Sequence, residues 1–168
     1  MAVTDYRISK LRQYLFEIIN TLTSNRDYQI NANMLSDKVD DYSLDKIPTE
    51  PMAELWIIGG GVKKDVYSFR SRKTYSQDTI VNLKNMGFFE QFEQAIKNNN
   101  EQGNLPNING IESIECLNTF TMISNDDGKS ATFDIQIQIT YLDNYEEGVS
   151  LWKKLLRKKI LFLTANNT

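Results

Sequence analysis

Histidine is absent from all 168 residues of this chain. That excludes imidazole acid–base catalysis, His-based triads and His-ligated zinc together, while leaving carboxylate chemistry open. Cysteine is reduced to the single Cys116, so no internal disulfide can form. Its place in a strand-like segment favours a small buried side chain over a reactive thiol. No apolar run reaches the roughly 18 residues that a membrane-spanning helix requires. The start, Met1-Ala2-Val3-Thr4-Asp5-Tyr6-Arg7, has no basic stretch leading into an apolar one. No secretory signal is therefore expected, and a cytoplasm is the expected compartment.

An apolar content of 40% over this length is enough for one sizeable core, so one domain plus an extension is expected. The net charge is −3, but it is unevenly placed. Residues 145–168 hold five basic and two acidic groups, whereas the preceding body holds 14 basic and 20 acidic ones. An acidic body with a basic tail suggests an electrostatic contact with another protein or a neighbouring copy.

Ile8, Leu11, Leu15, Ile18, Ile19 and Leu22 recur at steps of three and four. They predict an amphipathic helix over 5–23, capped by Thr4 or Asp5 and lying across a sheet. The mixed, acidic stretch that follows allows short strands near Asn33–Leu35 and Val39–Leu44, with Pro48 and Pro51 bracketing an extended link. Leu55-Trp56-Ile57-Ile58 reads as a strand, and Gly59-Gly60-Gly61 as a turn between two strand-like runs. A phosphate-cradling loop needs wider glycine spacing and a Lys-Ser/Thr pair opening a helix.

Val66 to Tyr75 predicts the next strand, with Tyr67 and Phe69 facing the core and Ser68, Arg70 and Arg72 opposite. Two arginines two apart on one strand face lie about 6.5 Å from each other. They are either solvated charge or a row of donors aimed at a partner's carboxylates or at nucleic-acid phosphates. Asp78 is placed to cap a helix carrying Ile80, Leu83 and Met86, with Gly87 expected to interrupt it. Phe88, Phe89, Phe92 and Ile96 follow as core, and Asn98-Asn99-Asn100 with Gly103 as its end. Leu105-Pro106 opens an extended piece. Ile111 to Ile123 and Lys129 to Tyr141 then predict a hairpin around Asn125-Asp126-Asp127-Gly128. That loop lacks the spaced oxygen ligands and closing glutamate of a calcium site.

The second arm, Thr132-Phe133-Asp134-Ile135-Gln136-Ile137-Gln138-Ile139-Thr140-Tyr141, alternates polar and apolar residues without a break. One face is therefore expected to be buried and the other, with Thr132, Asp134, Gln136, Gln138 and Thr140, to be wet. Such a face suits a polar assembly contact better than a reaction centre. Beyond the linker Leu142-Asp143-Asn144-Tyr145, the positions Val149, Trp152, Leu155, Leu156, Lys159, Ile160 and Leu163 follow helical spacing. Lys153, Lys154, Arg157 and Lys158 lie between them. Glu146-Glu147 at the start and the basic groups after them complement a helix dipole. A basic amphipathic helix packs on its own body, docks on a neighbour, or lies on a membrane; no anchor favours the last.

Several of these segments form a series. Tyr67-Ser68-Phe69-Arg70-Ser71-Arg72, then Asn82-Leu83-Lys84-Asn85-Met86-Gly87-Phe88-Phe89-Glu90-Gln91-Phe92, then Gly103-Asn104-Leu105-Pro106, then Phe133 to Tyr141 come in that order. The series resembles the tail terminator (tail completion, often "minor capsid") proteins of phages of Gram-positive bacteria, over roughly residues 5–142. The resemblance implies an α/β sandwich whose copies close into a six-membered ring. Such a ring caps the tail tube, stops its polymerisation and joins it to a neck or head-completion protein. In a contractile tail it also meets the last sheath ring. Virion or tail-like-particle localisation follows, with assembly in the host cytoplasm, no membrane contact, and DNA only in transit. A neck or collar connector of a capsid-less contractile (R-type) bacteriocin is the nearest alternative.

The expected fold class is α+β: a mostly antiparallel sheet packed by an N-terminal and a central helix, with a C-terminal amphipathic helical extension. Residues 1–142 form the domain and 143–168 the extension. Catalytic residues, cofactors and metals are expected to be absent. The expected interface comprises Arg70, Arg72, Gln136, Gln138, Trp152, Leu155, Leu156, Arg157 and Ile160. Ring closure by head-to-tail contacts needs two different patches per subunit, which an acidic body and a basic helix supply. A small enzyme using Asp65, Asp78 or Glu115 is a competing reading, although no pair of them has a recognisable spacing. A nucleic-acid binder using Arg70, Arg72 and the tail is another, opposed by a pI near 5.1.

Overall fold

The computed structural model describes residues 6–56, 60–76, 78–124 and 128–143. In chain order they form α1 (Arg7–Leu22), β1 (Ile30–Ala32), β2 (Tyr42–Ile47), β3 (Met52–Leu55), β4 (Gly61–Thr74), α2 (Thr79–Gln102), β5 (Ile111–Cys116), β6 (Thr121–Ser124) and β7 (Ser130–Asp143). The fold is α+β, and its single sheet is antiparallel except where β1 runs parallel to β2.

The sheet is organised around a ribbon. All fourteen residues of β4 pair with all fourteen of β7, from Gly61 opposite Asp143 to Thr74 opposite Ser130, without a register shift. Shorter strands lie end to end along its two sides. β2 and β3 share the free edge of β4, and β5 and β6 share that of β7. The strict alternation of β7 sends Phe133, Ile135, Ile137, Ile139 and Tyr141 to one face, where they are buried. Tyr67 and Phe69 of β4, and Tyr42 and Leu44 of β2, join them.

Both helices pack on that face. α1 contributes Leu11, Leu15, Ile18 and Ile19, and α2 contributes Phe92 and Ile96, to one core cluster with the inward sheet residues. Each such side chain removed from water stabilises the fold by about 1.5–3 kcal/mol. Rings stack through the layers: Tyr42 on Phe69 at 5.3 Å and Phe69 on Phe92 at 5.1 Å. A second cluster joins Phe89 to Phe120 and Phe133 at 5.0 and 5.3 Å.

Several expectations need correction. α1 begins one or two residues later than expected: Tyr6, not Thr4 or Asp5, holds the cap position, in extended backbone and with no side-chain cap bond. Gly87 does not interrupt α2, which runs unbroken for 24 residues. One internal glycine costs a helix about 1 kcal/mol, less than burial of Phe89 and Phe92 returns. The ends of α2 are as predicted. Asp78 accepts from the Ile80 N–H at 2.9 Å. Gly103, at φ 74°, closes it with Gly103 N–H to Asn100 O and Asn104 N–H to Asn99 O.

β1 ends just before the first predicted short strand, β2 overlaps the second over Tyr42–Leu44 but runs on to Ile47, and β3 is Met52–Leu55 rather than 55–58, of which 57 and 58 lie outside the described residues. Gly61 is required where β3 meets β4, since a Cβ there would sit 2.0 Å from Glu54 O. The first arm of the predicted hairpin is two strands, broken at Leu117–Phe120, where the chain turns Phe120 inward toward Phe89. The expected helix over 149–163 lies outside the described residues.

Candidate functional site

The face of the sheet turned away from α1 and α2 carries the residues expected to form an interface. Register fixes its rows: Ser43, Arg70 and Asp134 lie side by side, then Asp45, Ser68 and Gln136, then Ile47, Val66 and Gln138. Several of its polar side chains are already bonded within the chain, although Asp45 Oδ1 is buried without a hydrogen-bond partner among the described residues. Arg70 donates through Nε to Asp45 Oδ2 at 2.9 Å and through Nη2 to the same oxygen. Ser43 Oγ donates to that carboxylate at 3.1 Å, and Ser68 Oγ donates to Asp134. Gln138 Nε2 donates to Glu115 Oε1 at 2.8 Å, while the Gln136 N–H donates to Asn118 Oδ1 at 2.7 Å. Arg72 donates to the fully exposed Asp37 at 3.1 Å.

This ladder answers the question left open for the arginines. Arg70 is a partly buried donor neutralised by Asp45, not free solvated charge. A phosphate backbone would have to displace that carboxylate, which lowers the face's value for nucleic acid. Arg72 keeps its Nε buried without a hydrogen-bond partner among the described residues. Thr132, expected on the wet face, is buried, whereas Asp134, Gln136, Gln138 and Thr140 are half-buried. The structure thus brings Arg70, Gln136 and Gln138 onto one face, with Arg72 at its end. Trp152, Leu155, Leu156, Arg157 and Ile160 lie outside the described residues.

The three carboxylates of the enzyme reading have separate structural tasks. Asp65 is buried on the helix side between Lys46 Nζ at 2.6 Å and Arg7 Nε at 3.3 Å, and the Arg7 guanidinium also lies over the Tyr141 ring. Asp78 caps α2, and Glu115 accepts from Gln138 on the opposite face of the sheet. A depression of 450 Å³ between α1 and α2, lined by Tyr14, Ile18, Ala95 and Leu105, includes none of the three. Among the described residues no group of three His, Cys, Asp or Glu side chains is placed to hold a metal. Burial pushes the Cys116 thiol up to about 12, aided by Glu93 and Glu115, which makes it a poor nucleophile.

Sequence reading missed Lys73. It is buried on the helix side of β4, with Nζ 3.0 Å from Asp40 and 2.8 Å from the Tyr42 hydroxyl, and lies over the Tyr42 and Phe88 rings. Desolvation lowers its pKa, and the Asp40 charge works against that. Strand parity could have found it: Tyr67, Phe69, Ser71 and Lys73 share one face, so a lysine at the next inward position must bury its stem. Asp65 follows from the same count in the other direction.

Compared with known proteins, the chain matches no family model and no curated sequence. Among the described residues, no helix is long and apolar enough to cross a membrane.

Proposed function

We propose that this chain is a structural ring subunit that caps a phage or phage-like tail tube, ends its polymerisation and joins it to the neck. If the tail contracts, the same ring meets the last sheath ring. The reading starts from the series of segments shared with tail terminator proteins. The observation that carries it further is the β4–β7 ribbon with its outward ladder of Arg70, Asp45, Ser68, Asp134, Gln138 and Glu115. Side chains fixed by mutual bonds before any partner arrives lose little freedom on contact. A face of this kind stays hydrated in the free subunit and still mates with a matching surface. The dispersed tasks of Asp65, Asp78 and Glu115 favour a contact surface over turnover.

Native mass spectrometry of the purified full-length chain at high concentration, with negative-stain microscopy of the chain mixed with tail tubes, tests the proposal. Closed rings, hexameric by the resemblance, seated on tube ends are expected. A strict monomer that never joins a tube would overturn it.

A further inference from the structure

The first half of α2 wears its amphipathicity inside out. Beside the half-buried Val81, its inward side chains are asparagines: Asn82 Nδ2 donates to Ser76 O at 2.8 Å, and Asn85 Nδ2 donates to Thr74 O at 2.8 Å. Its apolar ones face solvent, with Ile80 62%, Leu83 57% and Met86 44% exposed. Gly87 adjoins them, and a Cβ built there meets nothing within 4 Å. Glycine inside a helix is disfavoured relative to alanine, yet no neighbour among the described residues calls for it. An apolar strip beside a bare stretch of helix backbone is the shape that accepts a second helix at close range.

The sequence supplies a matching occupant. The described chain ends at Asp143, and residues 149–163 carry a stripe of Val149, Trp152, Leu155, Leu156, Ile160 and Leu163 flanked by basic groups. Exposed Asp78 and Glu90 stand at the two ends of the α2 strip, where Lys84 is the sole cation, so the charges are complementary. Position decides whose segment it is. Asn85 ties the strip to the Thr74 end of the ribbon, whereas the segment departs from Asp143, beside Gly61, at the other end. Those ends are roughly 43 Å apart. Fully extended, residues 144–148 span about 18 Å, and the predicted helix through Leu156 adds about 11 Å. Trp152, Leu155 and Leu156 therefore fall short of their own chain's strip. On the way they would cross the exposed Glu90, Gln91 and Gln94.

We propose that residues 149–163 of one copy dock on the Ile80–Leu83–Met86–Gly87 strip of a neighbouring copy. This rests on the ring reading and names the two unlike patches that head-to-tail closure requires. Trp152 and the leucines are the anchors, and Gly87 admits their helix.

The test uses the full-length chain. Leu83→Glu is expected to weaken self-association by at least about tenfold while leaving the thermal midpoint of the monomer unchanged, because Leu83 is exposed there. Mixing copies that carry Leu83→Cys with copies that carry Leu155→Cys, on a Cys116→Ser background, is expected to yield a disulfide between copies under mild oxidation. A wild-type ring that survives Leu83→Glu, with no such disulfide, overturns the docking and leaves the ring reading standing. A disulfide formed within one chain carrying both cysteines, and none between mixed copies, also overturns it. A wild-type chain that stays monomeric overturns both.

Discussion

The two halves of α2 are one helix built on opposite plans. From Phe89 to Ile96 the apolar side chains face the sheet, and Phe89, Phe92 and Ile96 are fully buried. From Ile80 to Met86 three of the four large apolar side chains, Ile80, Leu83 and Met86, face outward, and asparagines tie the helix to Ser76 and to the end of β4 at Thr74. The first plan is what tertiary packing rewards. The second adds little to the isolated subunit, and it becomes intelligible once a surface from outside the chain covers it.

Four substitutions or conditions test that contrast. Phe92→Ala removes a ring stacked on Phe69 and should cost about 3–5 kcal/mol in urea unfolding, enough to threaten the fold. Alkali attacks the sheet core on which that half packs. Burial raises the Tyr42 and Tyr67 pKa values above the ordinary 10.0, with the Asp40 and Asp65 charges, respectively, adding to the effect. The unfolded chain gives up those protons near that value and the folded chain does not. Their stabilisation is therefore complete below pH 10 and lost as pH rises through the raised values. Lys73 works with opposite sign: its lowered pKa makes stability rise as pH climbs toward 10.5. The tyrosines outnumber it, so denaturant midpoints should fall above about pH 10, with phenolate absorbance appearing together with unfolding. Stability that stayed flat there would deny the tight burial of this core.

In the outward half the expected effects are smaller. Asp78→Ala deletes the cap on Ile80 N–H and should cost about 1 kcal/mol, read as a lower thermal midpoint. Gly87→Ala should stabilise the monomer by up to about 1 kcal/mol, since a methyl there meets no neighbour among the described residues, while weakening assembly. A Gly87→Ala protein less stable as a monomer would mean that the helix face is covered by its own chain.

Where local chemistry decided the outcome, the sequence was a good guide. The alternation in β7, the Asp78 cap and the Gly103 stop are short-range signals, and each is found where its residues stand. Gly87 misled because its penalty is local and the phenylalanine packing that outweighs it is not. β1 was misplaced and β2 only partly located because their run is short and polar, and their positions follow from the pairing of β2 with the distant β4 and of β1 with β2. For the candidate face, parity placed Arg70, Gln136 and Gln138 correctly. The partnership of Arg70 with Asp45 had no sequence signal, because it joins strands that only the sheet brings together. Parity also signals the burial of Asp65 and Lys73; what it conceals is their partners, since charged residues at inward positions are tolerated here because Arg7, Lys46, Asp40 and Tyr42 arrive from elsewhere in the chain.

The β4–β7 ribbon also governs how the chain reaches its native state. Even its nearest pair, Thr74 and Ser130, is separated in sequence by the whole of α2, β5 and β6. Each of its rungs therefore waits on closure of a long loop, and topologies of that kind mature on the millisecond-to-second scale rather than in microseconds. During synthesis β4 leaves the ribosome well before its mate, with Tyr67 and Phe69 unsheltered. The nascent chain is most exposed to premature strand association in that interval.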